Sequence, residues 1–551
     1  MRSRQAVVAR RLSAGGRALA AAVALCALLA ACAPAQQPAP APAAGSASQA
    51  APGGQTTSAG QAAPGAPAAS APAGPKRLTI AYTVDITGAP NPFAHTGSTE
   101  YARWFHIFDT LVRYDEQASI WVPWLAESWS TPDPTTWVFK LRQGVQFHDG
   151  SPLTADDVVF SYRRRIEDKD SKQAAALGVL QSIEAVDPYT VRIATKEPDA
   201  SFLSRADTSI VLSKAQFDRV GPEAAMRQPV GSGPYVFKEY VPGQRLVVTR
   251  NPNFWGTAKP AWDEVVFRSI PEDEARVSAL LNGEVDVIAN LPLQSVDRVN
   301  ASGRATAEGV RGSRIMFVAL NPIIEPLKSL PVRQAIAHAI DKDALIHGIL
   351  QDHAYRLDGP LGPGMVGYTP DLGPPLEYDP AKAKQLLAQA GYADGFDVDF
   401  YTTVNRFPKD KEIATALVSM LNQVGIRAKL QLPEFATYIA QFGRGEYAAY
   451  YVGRGDVTDP SEYLQQYFRT GVTKRINFSD PEVDRLLAAQ ARELDAAKRA
   501  ELLREAQAKI VEQVPVVFLY QYQDIYGASS RVEFKPRMNE MILAWDVKPK
   551  S

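Results

Sequence analysis

From Arg77 onward, hydrophobic and polar positions along the chain follow two periods in turn. Residues 137–142 read Trp-Val-Phe-Lys-Leu-Arg, in which every second side chain is large and apolar, and this alternation predicts a half-buried strand. Thr154 and Asp157 then form the pattern of a capping box ahead of Val158, which predicts the start of a helix. Short strands that alternate with helices are typical of an α/β fold.

Further signals continue this alternation towards the C-terminus. Asp379 and Asp480 each place a capping carboxylate before a proline at the first helical position. Gly283 and Pro515 are residue types that end helices. Two helices are predicted at residues 275–282 and 501–513, and two more are predicted to begin at Pro380 and Pro481. Strands are predicted at residues 285–288 and 516–520.

The first 32 residues have the pattern of a bacterial export signal. They carry five arginines and no acidic residue, and the apolar run of residues 18–31 is too short to span a bilayer. The segment Leu29-Ala30-Ala31-Cys32 resembles the lipobox of bacterial lipoproteins, in which the cysteine receives a diacylglycerol and becomes the new N-terminus. A plain signal peptide with a chance cysteine is the alternative. Arg10-Arg11 leaves open whether export follows the general or the twin-arginine route.

A low-complexity segment follows the leader. Residues 33–75 contain only alanine, proline, glycine, serine, glutamine and threonine, so they cannot bury enough apolar surface to fold. We therefore expect residues 32–75 to be a disordered tether that holds a folded body above a membrane.

Length and composition narrow the class of protein. A chain of 551 residues exceeds the roughly 250 residues at which single cores stop growing, so two or three lobes are expected. A net charge of −1 argues against a nucleic-acid surface. Cys26 lies in the leader and Cys32 in the lipobox, so no thiol remains for a disulfide, a metal site or catalysis.

Six motifs carry a family resemblance. They read Leu-Ala-Glu-Ser-Trp at 125–129, Trp-Val-Phe-Lys-Leu-Arg-Gln-Gly-Val-Gln-Phe-His-Asp-Gly at 137–150, Pro-Leu-Thr-Ala-Asp-Asp-Val at 152–158, Gly-Ser-Gly-Pro-Tyr at 231–235, Arg-Asn-Pro-Asn-Phe-Trp at 250–255 and Val-Arg-Gln-Ala-Ile-Ala-His-Ala-Ile-Asp at 332–341. In this order they resemble the peptide- and nickel-type (oligopeptide- and dipeptide-binding) solute-binding proteins of bacterial ABC importers. The resemblance extends over nearly all of residues 77–545.

The resemblance implies an α/β, two-lobed periplasmic-binding-protein fold that is type II-like, with an extra subdomain in lobe I and a two-strand hinge. The hinge strands are expected near Ala319–Asn321 and Tyr520–Tyr522. The implied organisation is a lipoprotein signal peptide at residues 1–31, a tether at 32–75, lobe I at 76–119, 232–318 and 520–551, its subdomain at 120–231, and lobe II at 319–519.

The function implied by the resemblance is capture of peptides or peptide-like solutes between the lobes. The partners would be the permease and ATPase subunits of an ABC importer. The protein would lie at the extracytoplasmic face of the membrane or in the periplasm, held by a lipid anchor. We expect a monomer without a cofactor, a nucleic-acid partner or catalytic activity. The alternatives are a non-peptide solute on the same fold, such as a nickel chelate, an opine or a sugar, a sensor or chaperone without a transporter, and a secreted hydrolase.

The resemblance places the ligand site at residues 453–463, Gly-Arg-Gly-Asp-Val-Thr-Asp-Pro-Ser-Glu-Tyr. In peptide-binding relatives an aspartate of this motif binds the α-amino group of the peptide, and Asp456 is the matching position. The alternative is that Asp456 stabilises a turn, while Asp459 caps the following helix. Relatives often have a tryptophan before the aspartate, where this chain has Gly453 and Arg454. Arg454 could bind a ligand carboxylate or phosphate, or neutralise Asp456.

Other chemistries find little support in the sequence. The chain has six histidines but no pair at metal-ligand spacing on a helix, so a direct metal site is not expected. The Asp149-Gly150 pair after a strand indicates a turn rather than a metal site with His148. The segment around Gly231 and Gly233 does not contain the lysine of a phosphate loop. We expect these glycines to lie where the chain crosses over near the hinge. No hydrolase motif is present.

Overall fold

The computed structural model describes residues 76–84, 91–94, 97–257, 259–404, 406–455 and 459–550. These residues belong to one compact unit of the chain. The predicted signal peptide and tether lie outside the described residues. Within the described ranges, no helix combines the length and the apolar character needed to cross a membrane.

Nineteen strands are present in this part of the chain. They are β1 (Arg77–Tyr82), β2 (Val112–Asp115), β3 (Ile120–Pro123), β4 (Ala126–Asp133), β5 (Thr136–Leu141), β6 (Leu180–Asp187), β7 (Thr190–Thr195), β8 (Tyr235–Val241), β9 (Arg245–Arg250), β10 (Glu264–Ser269), β11 (Val287–Ile288), β12 (Ala305–Leu320), β13 (Ala354–Arg356), β14 (Phe396–Tyr401), β15 (Ile426–Gln431), β16 (Ala449–Arg454), β17 (Val516–Ser529), β18 (Val532–Phe534) and β19 (Val547–Pro549).

Fifteen α-helices alternate with these strands in the described residues. They are α1 (Ser98–Trp104), α2 (Ala155–Glu167), α3 (Phe202–Asp207), α4 (Lys214–Val220), α5 (Pro222–Arg227), α6 (Asp273–Leu281), α7 (Val296–Ala301), α8 (Leu330–Ala339), α9 (Lys342–Gly348), α10 (Pro380–Gln389), α11 (Asp410–Gln423), α12 (Phe435–Arg444), α13 (Ser461–Phe468), α14 (Pro481–Arg492) and α15 (Ala496–Gln513).

Strands β12 and β17 lie at the centre of an eleven-stranded sheet and connect its two halves. The order is β15-β14-β16-β12-β17-β11-β1-β10-β9-β8, with β13 also paired to β17. One half packs into a large core around Phe317 and Phe518, and the other packs into a separate core around Ile80 and Tyr235. This arrangement is the two-lobed α/β fold that the resemblance implies.

The pairing of β12 with β17 is irregular where the strands pass between the two halves. The register shifts between Arg311 and Ile315 on β12, whose partners on β17 are Gln523 and Gln521. The position expected on β17, Tyr520–Tyr522, adjoins this irregularity. By contrast, Ala319 is already paired with both Val516 and Tyr450, well inside one half of the sheet. A second register shift lies between Met316 and Phe317, two residues before the hinge position expected on β12.

A four-stranded antiparallel sheet, β4-β5-β7-β6, packs with α2 around a third core. Trp137, Phe139 and Leu141 are buried in this core and Lys140 is exposed, which confirms the alternation predicted for β5. The capping box at the start of α2 is also confirmed, because Asp157 accepts a hydrogen bond of 2.9 Å from the Thr154 backbone N–H.

The other helices predicted from caps are present. Asp379 accepts a hydrogen bond of 2.8 Å from the Lys382 N–H, and Asp480 accepts one of 2.9 Å from the Val483 N–H. The helix predicted at 275–282 begins two residues earlier, and the strand predicted after it consists of β11 alone. The helix predicted at 501–513 begins at Ala496, because Asp495 caps it. Strand β17 extends to Ser529 through its pairing with β12.

The signature motifs hold turns and close chain contacts. Gly150 has a φ of 82° and Asp149 accepts a hydrogen bond of 3.1 Å from the Ser151 N–H, so the turn is confirmed. His148 uses both ring nitrogens on the glycine segment, because Nε2 lies 3.0 Å from the Gly233 oxygen and Nδ1 accepts from the Gly231 N–H at 3.3 Å. A Cβ at Gly231 would lie 1.9 Å from the oxygen of residue 107. The glycines therefore allow close packing against residues 106–108 and hydrogen bonding to His148.

Candidate functional site

A large cavity lies among residues of both halves of the central sheet. Its volume is about 1420 Å³, and it is lined by side chains from β2, β3, α3, β12, β16, α13 and the segment 535–546. Pockets for single small molecules usually measure about 300 to 1,000 Å³, so this cavity has room for a solute of peptide size. Polar and apolar surfaces both face it.

Arg454 lines this cavity from the end of β16. The strand is held in place by its pairing with β12, where Arg454 lies opposite Ile315. Its Nη2 atom is 3.7 Å from the exposed Glu462 carboxylate, and its Nε atom is buried without a hydrogen-bond partner among the described residues. The side chain is therefore placed where a solute in the cavity could contact it.

Asp456, the predicted amine-binding residue, lies outside the described residues. The two alternatives for this side chain, a ligand contact or a turn, therefore both remain open. Arg454 and Asp459, which bracket it in the sequence, both line the cavity, so the chain between them begins and ends at this site.

Asp459 has a structural role that is larger than the predicted cap. It accepts a hydrogen bond of 2.9 Å from the Ser461 N–H at the start of α13. It also forms an ion pair with Arg499 through two contacts of 2.8 and 2.7 Å, and only 3% of the Asp459 side chain is exposed. Because Arg499 occupies both carboxylate oxygens, Asp459 is a poor candidate for binding a solute amine.

Arg113 on β2 is a cavity residue that the sequence reading did not identify. Its guanidinium lies 3.7 Å from the centre of the Phe105 ring and 5.6 Å from that of Trp124. Burial lowers the pKa of Arg113, and the charges of Asp207 and Asp109 partly offset this effect. An arginine in a strand is unremarkable in sequence, and only the tertiary fold brings the two rings around it.

Asp109 beside this arginine is fully engaged by neutral donors. The indole N–H groups of Trp124 and Trp255 donate to it at 2.7 and 2.9 Å, and the Ser232 hydroxyl donates at 2.8 Å. Asp109 is buried, so these three bonds satisfy a carboxylate that water cannot reach. Asp109 holds the Trp124 ring of the cavity wall in place and is not itself one of the lining residues.

Three further titratable residues line the same region. Burial raises the pKa of Asp207 to about 6, although Arg113 and Arg537 act in the opposite direction. Burial also raises the pKa of Glu116, which accepts a hydrogen bond of 2.9 Å from the Met538 N–H. Arg537 is paired with Asp546 through contacts of 2.5 and 3.2 Å.

Cationic side chains outnumber acidic ones around the cavity. The described lining residues include seven arginines and two lysines against six aspartates and glutamates. Two of the lining acids, Asp459 and Asp546, are paired with arginines, and two of the lining arginines, Arg205 and Arg537, are paired with aspartates. The cavity therefore has a positive electrostatic bias in the part of the chain that the structure describes.

Aromatic side chains, and not metal ligands, complete the wall of the cavity. The described ranges contain no group of three or more histidine, cysteine, aspartate or glutamate side chains that could hold a metal ion. Aromatic rings are plentiful in the cavity wall, and the rings of Tyr114 and Trp121 lie 4.9 Å apart. Such faces can pack against peptide groups or apolar side chains of a solute.

Comparison with protein families gives one match over most of the chain. Residues 121–475 match the family described as bacterial extracellular solute-binding proteins, family 5 middle. This range includes both the four-stranded sheet and the strands β12 to β16.

Individual relatives agree with this match. The chain is 29% identical over 441 residues to heme-binding protein A of Haemophilus influenzae, with 74% of this chain and 80% of the relative covered. It is 28% identical over 490 residues to the dipeptide-binding protein of Escherichia coli, with 82% and 91% covered. Among solved structures, the chain resembles the ABC transporter-associated periplasmic binding protein DppA of Helicobacter pylori in complex with the peptide STSA. The TM-score is 0.70 at 28% identity, and the match covers 86% of this chain and 98% of that one.

Proposed function

The chain belongs to family 5 of the bacterial extracellular solute-binding proteins, and we propose that it captures peptides in its cavity and delivers them to an ABC importer. The observation that carries this proposal is the cavity of about 1420 Å³, lined from both halves of the sheet. Similarity to the dipeptide-binding protein of Escherichia coli and to the peptide complex of Helicobacter pylori DppA supports a peptide as the solute.

The proposed closure of the lobes around the solute is supported by the connection between them. Strands β12 and β17 run through both halves of the sheet, and their pairing is interrupted between Arg311 and Ile315. A short irregular segment in otherwise continuous strands can absorb the dihedral changes of a hinge. Binding would then bury the solute and shift the population to the closed form.

The proposed contacts to the peptide are Asp456 and Arg454. Asp456 would accept charge-assisted hydrogen bonds from the α-amino group, and Arg454 would contact an anionic part of the peptide. The support for Arg454 is its position in the cavity wall with a buried Nε atom that has no partner among the described residues.

The proposal also covers anchoring and assembly. Lipidation of Cys32 and a tether over residues 32–75 would hold a monomeric binding protein at the extracytoplasmic face of the membrane, near permease and ATPase subunits. The support is the sequence of the leader and of the low-complexity segment after it. Binding without cofactor or turnover is the activity expected of a solute-binding protein.

A non-peptide solute is the second candidate on the same fold. Two observations favour it, namely the excess of cationic side chains around the cavity and the similarity to heme-binding protein A of Haemophilus influenzae. A secreted hydrolase is the distant alternative, and recovery of an intact peptide after long incubation would exclude it for that peptide.

Solution scattering tests the proposed function. Addition of a saturating tripeptide mixture should reduce the radius of gyration and raise the melting temperature, because a ligand at 100 times its Kd stabilises the folded state by about 2.7 kcal/mol. A tripeptide that binds tightly and leaves the radius of gyration unchanged would contradict closure. Absence of binding by any tripeptide would contradict the peptide as solute.

A further inference from the structure

The two halves of the molecule contact each other at the corner between α14 and α15, outside the strands that connect them. The Ala200 N–H donates a hydrogen bond of 2.8 Å to the Ala491 oxygen. Leu494, between the two helices, packs against the core of the four-stranded sheet. We call this contact, between residues 197–200 and 491–494, the latch.

The two sides of the latch belong to different cores. Helices α14 and α15 bury their apolar faces in the large core of one half. Residues 197–200 lead into Phe202, which lies in the core of the four-stranded sheet. Helix α2 fixes that sheet to the other half, because Tyr162 packs into the core of the sheet and Phe160 against the core of the other half. The latch therefore joins the two halves of the molecule.

The hinge is delimited by the side chains of β12 and β17 that enter these cores. On β17, Tyr522 lies in the large core and Tyr526 in that of the other half. On β12, Ile315 lies in the large core and Val310 packs against that of the other half. The chain between these positions consists of residues 311–314 and 523–525. Rotation in this chain would carry the two sides of the latch apart.

We propose that the latch opens and closes with the lobes, and that it holds the closed form together without contacting the solute. This inference rests on the proposed function, because it presupposes that the lobes close on a solute. Among the described residues that line the cavity, none belongs to either side of the latch. The latch therefore adds a determinant of affinity that lies outside the cavity and acts equally on different solutes.

Arg499 connects the latch with the wall of the cavity. It is paired with Asp459, a lining residue, through contacts of 2.8 and 2.7 Å, and its Nη1 donates to the Ala200 oxygen at 3.4 Å. Ser201, the next residue after Ala200, also lines the cavity. Lining residues of both halves thus adjoin the latch. A solute that draws Asp459 and Ser201 together also brings Ala200 to Ala491.

The latch is small and partly exposed, as a reversible contact must be. Arg492 forms an ion pair with Glu197, and the two side chains are 57% and 66% exposed. Exposed pairs of this kind contribute little to stability. Leu494 is half-buried. Small and partly polar contacts between parts of a chain permit relative motion, whereas large apolar interfaces hold them rigidly.

A cross-link tests the latch in the ligand-free protein. Glu197→Cys and Arg492→Cys are introduced together with Cys26→Ser and Cys32→Ser, so that the introduced cysteines are the only ones in the chain. A short bis-maleimide then joins the two positions in place of the ion pair. Solution scattering should give a smaller radius of gyration for the linked protein than for the unlinked one, because the lobes of the ligand-free protein are mostly open.

Binding measurements test whether the latch contributes to affinity. Leu494→Ala should weaken the binding of tri-alanine and of Ala-Phe-Ala by the same factor, roughly threefold to tenfold, because it lowers the population of the closed form. Arg492→Glu should also weaken binding, and the addition of Glu197→Arg should restore it, since the ion pair is then reversed. Calorimetric titration measures these affinities. Leu432→Ala is the matched control, because this leucine is exposed outside the cavity and the latch, and both affinities should stay unchanged.

The outcomes separate the latch from the proposed function. Equal radii of gyration for linked and unlinked protein, or failure of the linker to join the two positions, overturn the latch. Wild-type affinity in both Leu494→Ala and Arg492→Glu, or losses that differ between the two tripeptides, overturn it as well. If neither tripeptide binds to the wild type, the peptide as solute is contradicted, and the scattering comparison alone decides on the latch.

Discussion

Asp459 and Arg499 form a buried ion pair with two contacts of 2.8 and 2.7 Å, although forty positions separate them in the sequence. The pair fixes the start of α13 against α15, and Arg499 also donates to the Ser461 hydroxyl at 2.8 Å. The side chains are 3% and 9% exposed. The segment that bears Asp456 therefore ends at a rigid point.

Asp459→Asn should lower the free energy of unfolding by about 3 kcal/mol. The amide can still cap Ser461, but Arg499 would be left as a buried charge without its counter-ion. Urea unfolding measures the change. Asp480→Asn is the control, because it alters only the cap of α14, where asparagine is equally suitable, and should change stability by less than about 0.5 kcal/mol. Similar losses for both variants would show that the ion pair contributes little.

His106 should make the protein sensitive to acid. Its Nδ1 lies 2.6 Å from the Ala102 oxygen and its Nε2 accepts a hydrogen bond of 2.9 Å from the Ala544 N–H, so the ring is held neutral. Burial lowers the pKa of His106 to about 3 from 6.5. Below pH 6.5 the unfolded chain binds a proton that the folded protein does not, so stability is fully present above that pH and is lost as pH falls towards 3.

His106 should lower the free energy of unfolding by about 1.4 kcal/mol for each unit by which the pH falls in this window. Urea unfolding at several pH values gives the slope of the unfolding free energy against pH. This slope should be smaller in His106→Gln than in the wild type by the same amount, whatever the absolute stability of the variant. The same slope for both proteins between pH 6 and 4 would contradict the assignment.

Asp456→Asn should weaken binding of a peptide with a free amino group by about 1 to 3 kcal/mol, or roughly fivefold to 150-fold. The variant keeps the shape of the side chain and removes its charge, so an N-acetylated peptide should be little affected. Calorimetric titration with both peptides measures the difference. Asp459→Asn is unsuitable as a control because of its ion pair, and Asp480→Asn takes that place. Equal affinity of wild type and variant for the free-amine peptide would favour the turn role.

Cys32→Ala should leave the fold intact and release the protein from membranes into the soluble fraction. The reason is that the proposed diacylglycerol attaches to this thiol, and no other anchor is proposed. Fractionation and mass spectrometry of the mature N-terminus measure the outcome. A variant that stays with membranes, together with an unmodified Cys32 in the wild type, would overturn the lipoprotein proposal.

The features that could be predicted from sequence are those whose contacts are local. The capping bonds of Thr154, Asp379 and Asp480 join groups within three positions, so the residue types alone indicate them. The alternation at 137–142 likewise reports which face of β5 is buried, because a strand has a period of two.

The features that could not be predicted depend on the tertiary fold. The full length of β17 follows from its pairing with β12, some two hundred positions earlier in the chain. The partner of Asp459 lies on α15, and the rings around Arg113 come from separate segments. Local sequence patterns do not encode such pairings, so the cationic side of the cavity emerged only from the structure.

Mass spectrometry of the solute released from natively purified protein tests the central claim most directly. The protein is purified from its host without refolding and denatured, and the released small molecules are identified against a blank from the same purification of host cells that lack the protein. A set of short peptides with free amino termini, enriched over the blank, is the predicted result. A single non-peptide compound at one equivalent per protein, with no peptide released, would contradict the proposal that this chain captures peptides.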